Sequence, residues 1–304
     1  MSALAKFILR GHFQATLTVV ASMLLSLILP PISIIGAASI GLMTLRNGAM
    51  QGFLILLVVS VIFVMVSLVS ATATVIIPTF APLFIIMAVV WMLAIVLRSF
   101  RSLSLTILVA TIIGFVYIVI FHLYVGDTGN WWQIRLTRLF ATALEQFNAE
   151  EQQIIYQNIT NWAPQFTGVI AATLAFYSVI CIFVARWWQA MLYNPSGFQQ
   201  EFHTLRFNQY IAYVTLVLLA VSFLPFAKIA YIARDSLTTV LFSMYLFQGL
   251  SIGHAAVRIK KLNSGWLVGL YIVSLFSYPL VAVMGFIDTW FDFRRRLGNS
   301  SQAA

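Results

Sequence analysis

Charge is what this sequence has least of. Asp, Glu, Lys and Arg together make up 8% of its 304 residues, while 62% are hydrophobic. Soluble domains carry about 25% charged residues, so a water-soluble globular fold is excluded. Cysteine is nearly absent too. The single Cys181 rules out an internal disulfide and any cysteine-based metal site, and within its apolar run it reads as a small buried hydrophobe. Acidic residues number eight against seventeen Lys and Arg. All eight lie in loops or at the ends of hydrophobic segments, with Asp127 and Asp235 reading as turn and helix-cap residues. A proton-driven pump keeps an ionisable relay inside the membrane, and this pattern predicts none.

Catalytic signatures are missing as well. The chain has no P-loop, no His-Glu-x-x-His, no Gly-x-Ser-x-Gly and no paired-cysteine spacing. None of its four histidines stands four residues from a carboxylate, so no metal site, no cofactor and no enzymatic activity are expected. The net charge of +9 would raise nucleic acid for a soluble domain. Here the basic residues are scattered through short loops, where topology signals and lipid headgroups explain them.

Long apolar runs are what the sequence does have. Nine hydrophobic segments cover 12–29, 31–45, 51–70, 74–97, 103–124, 165–189, 208–231, 235–257 and 264–291. A spanning helix needs about 20 such residues. The expected fold is therefore all-α, one polytopic membrane bundle over 1–304 with about eight crossings. The opening "MSALAKFILRGHFQATLTVV" has the basic-then-apolar order of a signal peptide, but apolar segments continue at once, so an uncleaved first span is expected. The first two segments meet at Pro30-Pro31, which breaks a helix.

Loop charge orients the bundle. With the N-terminus inside, Lys6, Arg10, Arg46, Arg98, Arg101, Arg186, Arg206, Arg258, Lys260 and Lys261 all fall inside. Nine crossings would then place Arg294, Arg295 and Arg296 outside, against the same rule. Either the ninth segment, which carries Tyr278-Pro279 at its middle, bends back, or the early hairpin and a later loop are both misassigned; a cytoplasmic basic tail over 292–304 is expected.

Three connections carry pattern. The loop 125–164 is expected to be extracytoplasmic and helical. Trp132, Leu136, Leu139, Phe140, Ala143 and Phe147 recur at helical spacing, and Asn148 with Glu151 has the form of a capping box. It reads either as a surface anchor or as a lid over a cavity. The cytoplasmic loop 190–207 places Phe198, Phe202 and Leu205 on one helical stripe, a face for headgroups or for a partner protein. "TLRNGAMQG" offers Arg46 and Asn47 as a topology signal or as the polar mouth of a cavity.

Within the segments, Gln248 reads as an interhelical hydrogen bond or a solute contact. His254, about 240° further round the helix, lies near the basic inner loop. His122 reads as a headgroup-level residue or a proton relay. In "GFIDTWFDFRRR", Trp290 and Arg294 to Arg296 suit headgroups. Asp288 and Asp292 share a helical face, and Asp292 stands four residues before Arg296.

"YLFQGLSIGHAAVRIKKLNSGWLVGLYIV" followed by "VMGFIDTWFDFRRRLG" resembles the C-terminal pattern of the YybS-like bacterial membrane proteins of unknown function, and "ARWWQAMLYNPSGFQQEFHTLR" resembles their middle cytoplasmic loop. That family is distantly similar to the substrate-binding membrane subunits of energy-coupling-factor vitamin transporters. The resemblance implies a bacterial inner-membrane subunit for a vitamin-like small solute, driven by a partner's motor and docked to a coupling membrane subunit. The docking pattern of that group, Ala-x-x-x-Ala in the first span, is not present here. Ala171-x-x-x-Ala175 has the spacing in the sixth segment. The alternative is a non-transporting scaffold or regulator that recruits proteins through the 190–207 stripe and the tail.

Overall fold

The computed structural model describes residues 2–69, 73–225 and 227–302. Residue 70 of the third expected segment, residue 226 of the seventh and 303–304 of the tail lie outside the described residues. Among the described residues every regular element is helical. They are α1 (Ser2–Ile8), α2 (His12–Leu25), α3 (Ser33–Asn47), α4 (Ala49–Val69), α5 (Ala73–Phe100), α6 (Leu103–Val125), α7 (Thr128–Leu144), α8 (Ala149–Trp162), α9 (Phe166–Tyr193), α10 (Gly197–His203), α11 (Gln209–Val221), α12 (Ala227–Val240), α13 (Leu246–Ile259), α14 (Gly265–Phe276), α15 (Tyr278–Phe291) and α16 (Phe293–Gln302). Short 3₁₀ turns at Pro30–Ile32 and Ala163–Gln165 precede α3 and α9, and a π turn, Leu241–Tyr245, joins α12 to α13.

Among the described residues five helices are long and apolar enough to cross a bilayer: Ala49–Leu68, Phe80–Phe100, Leu103–Val125, Ala149–Tyr193 and Ile229–Ile259. A sixth arises if α14 and α15, bent by 109°, count as one broken span. The eight expected crossings exceed this because three segments form short helices. α2, α3 and α11 have 14, 15 and 13 residues. At 1.5 Å per residue each is about 20–23 Å long, against about 30 Å of hydrocarbon. The bend expected at Tyr278-Pro279 is present. Ser277 leaves the helical region (φ −146°, ψ 62°), and Pro279 sits in the first turn of α15, where its missing N–H costs no hydrogen bond.

The chain forms two compact units, residues 1–110 with 176–206, and 111–175 with 207–304. In the first, α3 is the central helix, buried from Gly36 through Leu45. Its small side chains let neighbours approach. A Cβ at Gly41 would lie 3.0 Å from the Ala185 Cβ, and one at Gly36 would lie 3.2 Å from the Ser22 Cβ. The C-terminal carbonyls of α3 are taken by Arg98, whose Nη1 donates to the oxygens of Thr44 (3.2 Å) and Leu45 (2.9 Å). A cation there also suits the negative end of the helix dipole. On α4, by contrast, Leu54, Leu57, Val58, Val61 and Met65 are exposed. That inverted distribution is what lipid rather than water selects.

In the second unit, α7 and α8 form a hairpin around Leu136, Ile159 and Ala163, with Trp132, Ile155 and Phe166 packed on them. α8 runs on into α9 as one helix, Ala149–Tyr193, so it continues the direction of a span. The capping box forms: Glu151 N donates to Asn148 Oδ1 (2.9 Å), and Asn148 N donates to Glu151 Oε2 (3.1 Å). Asn148→Ala is expected to cost about 1 kcal/mol of local helix stability, read as faster amide exchange over the first turn of α8. Unchanged protection there would contradict the role.

Candidate functional site

Asp235 begins the eighth hydrophobic segment in the sequence, but it is not a helix cap. It lies inside α12, 3% exposed, on a stripe with Thr239 and Ser243, which are equally buried. The hydroxyls of Thr239 and Ser243 donate back to the carbonyls of Asp235 and Thr239, so the polar side of this helix faces inward. Thr111 on α6 meets Ser243 in the π turn at 2.8 Å. π turns insert an extra residue and are frequent at functional sites.

Facing Asp235 is His122, in the last turn of α6 and 2% exposed. Its Nε2 stands 3.5 Å from Asp235 Oδ2. Its Nδ1 lies 3.0 Å from the Ile118 carbonyl oxygen, and Thr128 Oγ1, at the start of α7, lies 3.3 Å from Nε2. α9 closes the site with a glycine. A Cβ at Gly168 would fall 2.6 Å from Asp235 Cα and 2.7 Å from Oδ1, so only glycine lets the two helices come this close. Around this core Phe121, Trp131, Trp132 and Phe166 form a chain of ring contacts, with centroids 4.6–5.7 Å apart, and Trp132 Nε1 donates to Thr167 Oγ1 (3.0 Å). The result is an ionisable pair inside two candidate spans, touched by Thr128 at the root of the α7–α8 hairpin.

A second polar cluster joins α13, α15 and the tail. Asp288 and Gln248 are fully buried. Gln248 Nε2 donates to Asp288 Oδ2 (3.1 Å), and its Oε1 accepts from the Phe207 N–H (3.2 Å). Asp288 also accepts from Arg294 Nη1 (3.0 Å) and from the Phe293 N–H (2.8 Å). Arg294 Nη2 reaches Ser251 Oγ. The geometry depends on Asp292, whose left-handed backbone (φ 46°) ends α15 and lets α16 fold back. The carboxylate therefore pairs across the helix break. Gln248 Nε2, the Phe293 N–H and both terminal nitrogens of Arg294 donate to protein acceptors, the pattern of a structural lock.

A family model for predicted membrane proteins, DUF2232, matches residues 17–289. The chain belongs to this family. It is a multi-pass helical membrane protein in contact with the lipid bilayer. No curated protein and no solved structure matches it. The matched residues include His122, Asp235, Gln248 and Asp288, and the match ends before Arg294.

The other residues singled out in this DUF2232 sequence are dispersed. Arg46 and Asn47 are exposed at the end of α3. Arg46 stacks 4.2 Å over the Tyr193 ring, and Asn47 Nδ2 reaches Met43 Sδ at 3.8 Å. His254 Nε2 meets the Tyr271 hydroxyl at 2.9 Å, on α13 and α14. Phe198 and Phe202 stack on each other and pack edge-on against Phe183 of α9. Trp290 contacts Phe286 and Tyr213. Arg295 and Arg296 are exposed, the latter 5.4 Å over the Phe291 ring. Within the second unit the structure thus brings together Gln248 and Arg294, and separately His122 and Asp235, while Arg46 and Asn47 belong to the first unit. Asp235 was missed because it opens a polar "RDSL" stretch at the edge of a hydrophobic window. Its i, i+4, i+8 register with Thr239 and Ser243 was the available signal.

Proposed function

We propose that this DUF2232 chain is a small-solute binding or transport subunit of the bacterial inner membrane, with no motor and no enzymatic activity of its own. One observation carries the reading: the His122–Asp235 pair, 3.5 Å apart with side chains 2% and 4% exposed. Ionisable groups inside spans are expensive and mark solute or ion pathways. The resemblance to energy-coupling-factor subunits supports the vitamin-like class of solute and a coupling membrane subunit as partner.

The same proposal places both termini in the cytoplasm. With α14 and α15 as a re-entrant pair, the basic tail returns to the side of Arg258, Lys260 and Lys261 without a ninth crossing. Eight crossings then follow if α2, α3 and α11 traverse a locally thinned or protein-filled region. The scaffold alternative draws less support, since the Phe198–Phe202 stripe it would use is packed on Phe183.

Purification in mild detergent followed by mass spectrometry of co-purifying small molecules and proteins tests the function. A small molecule is expected with the wild type, with recovery falling about tenfold or more in Asp235→Asn and His122→Gln, as for loss of a charged hydrogen bond. Equal recovery from all three, or envelope proteins alone, would overturn it.

A further inference from the structure

We propose that His122 and Asp235 form a proton-binding site in the membrane domain, with the Thr128 hydroxyl as the alternative partner of the imidazole. The proposal rests on this pair being a working site, but not on the chain's moving a solute.

The chemistry follows from which atoms can donate. His122 Nδ1 faces the Ile118 carbonyl oxygen at 3.0 Å. A carbonyl only accepts, so Nδ1 keeps its hydrogen in both states. Nε2 is left as the place where a proton arrives and leaves. Among its neighbours are two of opposite character, Asp235 Oδ2 at 3.5 Å and Thr128 Oγ1 at 3.3 Å. Oδ2 is buried and has no hydrogen-bond partner among the described residues, and a buried carboxylate oxygen needs one. With Nε2 protonated, the ring is a cation whose N–H is directed at Oδ2. With Nε2 bare, the nitrogen is an acceptor and the Thr128 hydroxyl donates to it.

Loading the site takes one proton from water and changes the pair from net −1 to net zero. Release returns the proton and leaves imidazole and carboxylate. No oxidant or co-reactant enters. Thr128 is the first residue of α7, so the choice of partner also decides how the α7–α8 hairpin is held at its root.

Among the described residues, the charged and titratable groups on the surrounding elements are engaged with other partners or exposed, and Arg135 of α7 lies 3.3 Å over the Trp131 ring. On α6, Tyr117 is the other titratable group close to Asp235. On α12, Arg234 Nε donates to the Ser222 carbonyl (3.1 Å). Beside α7, Asp127 accepts from the Asn130 N–H (3.0 Å). α9 presents Gly168 and Thr167, neither of which titrates. The 3₁₀ turn Ala163–Gln165 has no titratable side chain, and Tyr210 and Tyr213 of α11 are exposed.

The test is a pH titration of full-length protein in nanodiscs, with histidine labelled in ¹⁵N and aspartate side chains in ¹³C, His122→Gln assigning the ring signal. The His122 Nε2 resonance is expected to pass between bare nitrogen and N–H within the pH range in which the protein stays folded. The midpoint should move in Asp235→Asn and also in Thr128→Val, each of which removes the partner of one state. A His122 ring fixed in one protonation state, or a midpoint unmoved by Asp235→Asn, would overturn the proposal. The wild-type titration needs no variant, so a misfolded mutant leaves it decidable. Solute recovery is read in the separate purification experiment. A titrating ring without any co-purified solute refutes transport and leaves the proton site standing.

Discussion

Arg294→Ala is expected to destabilise the second unit by about 3–5 kcal/mol, the cost of stranding one member of a buried ion pair. Asp288 is fully buried and receives Arg294 Nη1, Gln248 Nε2 and the Phe293 N–H. Without the guanidinium, its charge loses its cationic partner in an apolar setting. Asp288→Ala should cost a similar amount, since it leaves Arg294, Gln248 and a backbone N–H without their acceptor. The double variant Asp288→Leu with Arg294→Met should recover much of the loss, because an apolar pair has no desolvation penalty. Equilibrium unfolding in mixed micelles reads all three. Strictly additive losses, or a loss from Arg294→Ala below about 1 kcal/mol, would show that the cluster is not a coupled lock.

The second large effect is expected at Gly285. A Cβ there would lie 2.1 Å from the Tyr245 carbonyl oxygen and 2.7 Å from the Gly249 nitrogen. Gly249 is the matching position on α13, where a Cβ would lie 2.0 Å from the Val281 carbonyl oxygen. Both obstacles are backbone, so no side chain can swing aside and the helices must separate. That separation also pulls Gln248 from Asp288, so the two effects couple. Gly285→Ala is expected to cost about 3 kcal/mol or more, the upper end for overpacking. Gly269→Ala is the control. Nothing lies within 4 Å of its Cβ position, and relief of backbone entropy should leave stability equal or about 0.5–1 kcal/mol higher. Similar losses at both glycines would remove the close helix crossing as the explanation.

Particular residues show why part of the site was legible and part was not. Asn148 and Glu151 could be read as a cap because both hydrogen bonds close within three residues. The bend at Tyr278-Pro279 could be read because proline acts on its own helix. Gln248 could be read as an interhelical contact, since a lone amide in an apolar run needs a partner. Its partner could not be named, because that depends on how α13 and α15 are rotated about their axes. Arg294 was misassigned for a related reason. Helical spacing pairs Asp292 with Arg296, but the left-handed backbone at Asp292 ends the helix, and the fold pairs Asp288 with Arg294 instead.

By itself the sequence determined the solvent and the class. Scarce charge, long apolar runs and basic short loops specify a multi-pass helical membrane protein, because transfer free energy adds residue by residue along a window. Only the tertiary structure decided which polar groups meet. His122 and Asp235 lie far apart in the chain, and each alone reads as a feature of a segment end. Their meeting depends on α9 and α12 closing at Gly168 and on α6 meeting both at Gly114, where a Cβ would lie 2.9 Å from Thr239 Cγ2 and 3.3 Å from the Ala171 carbonyl oxygen, a three-body packing condition that no one-dimensional pattern encodes.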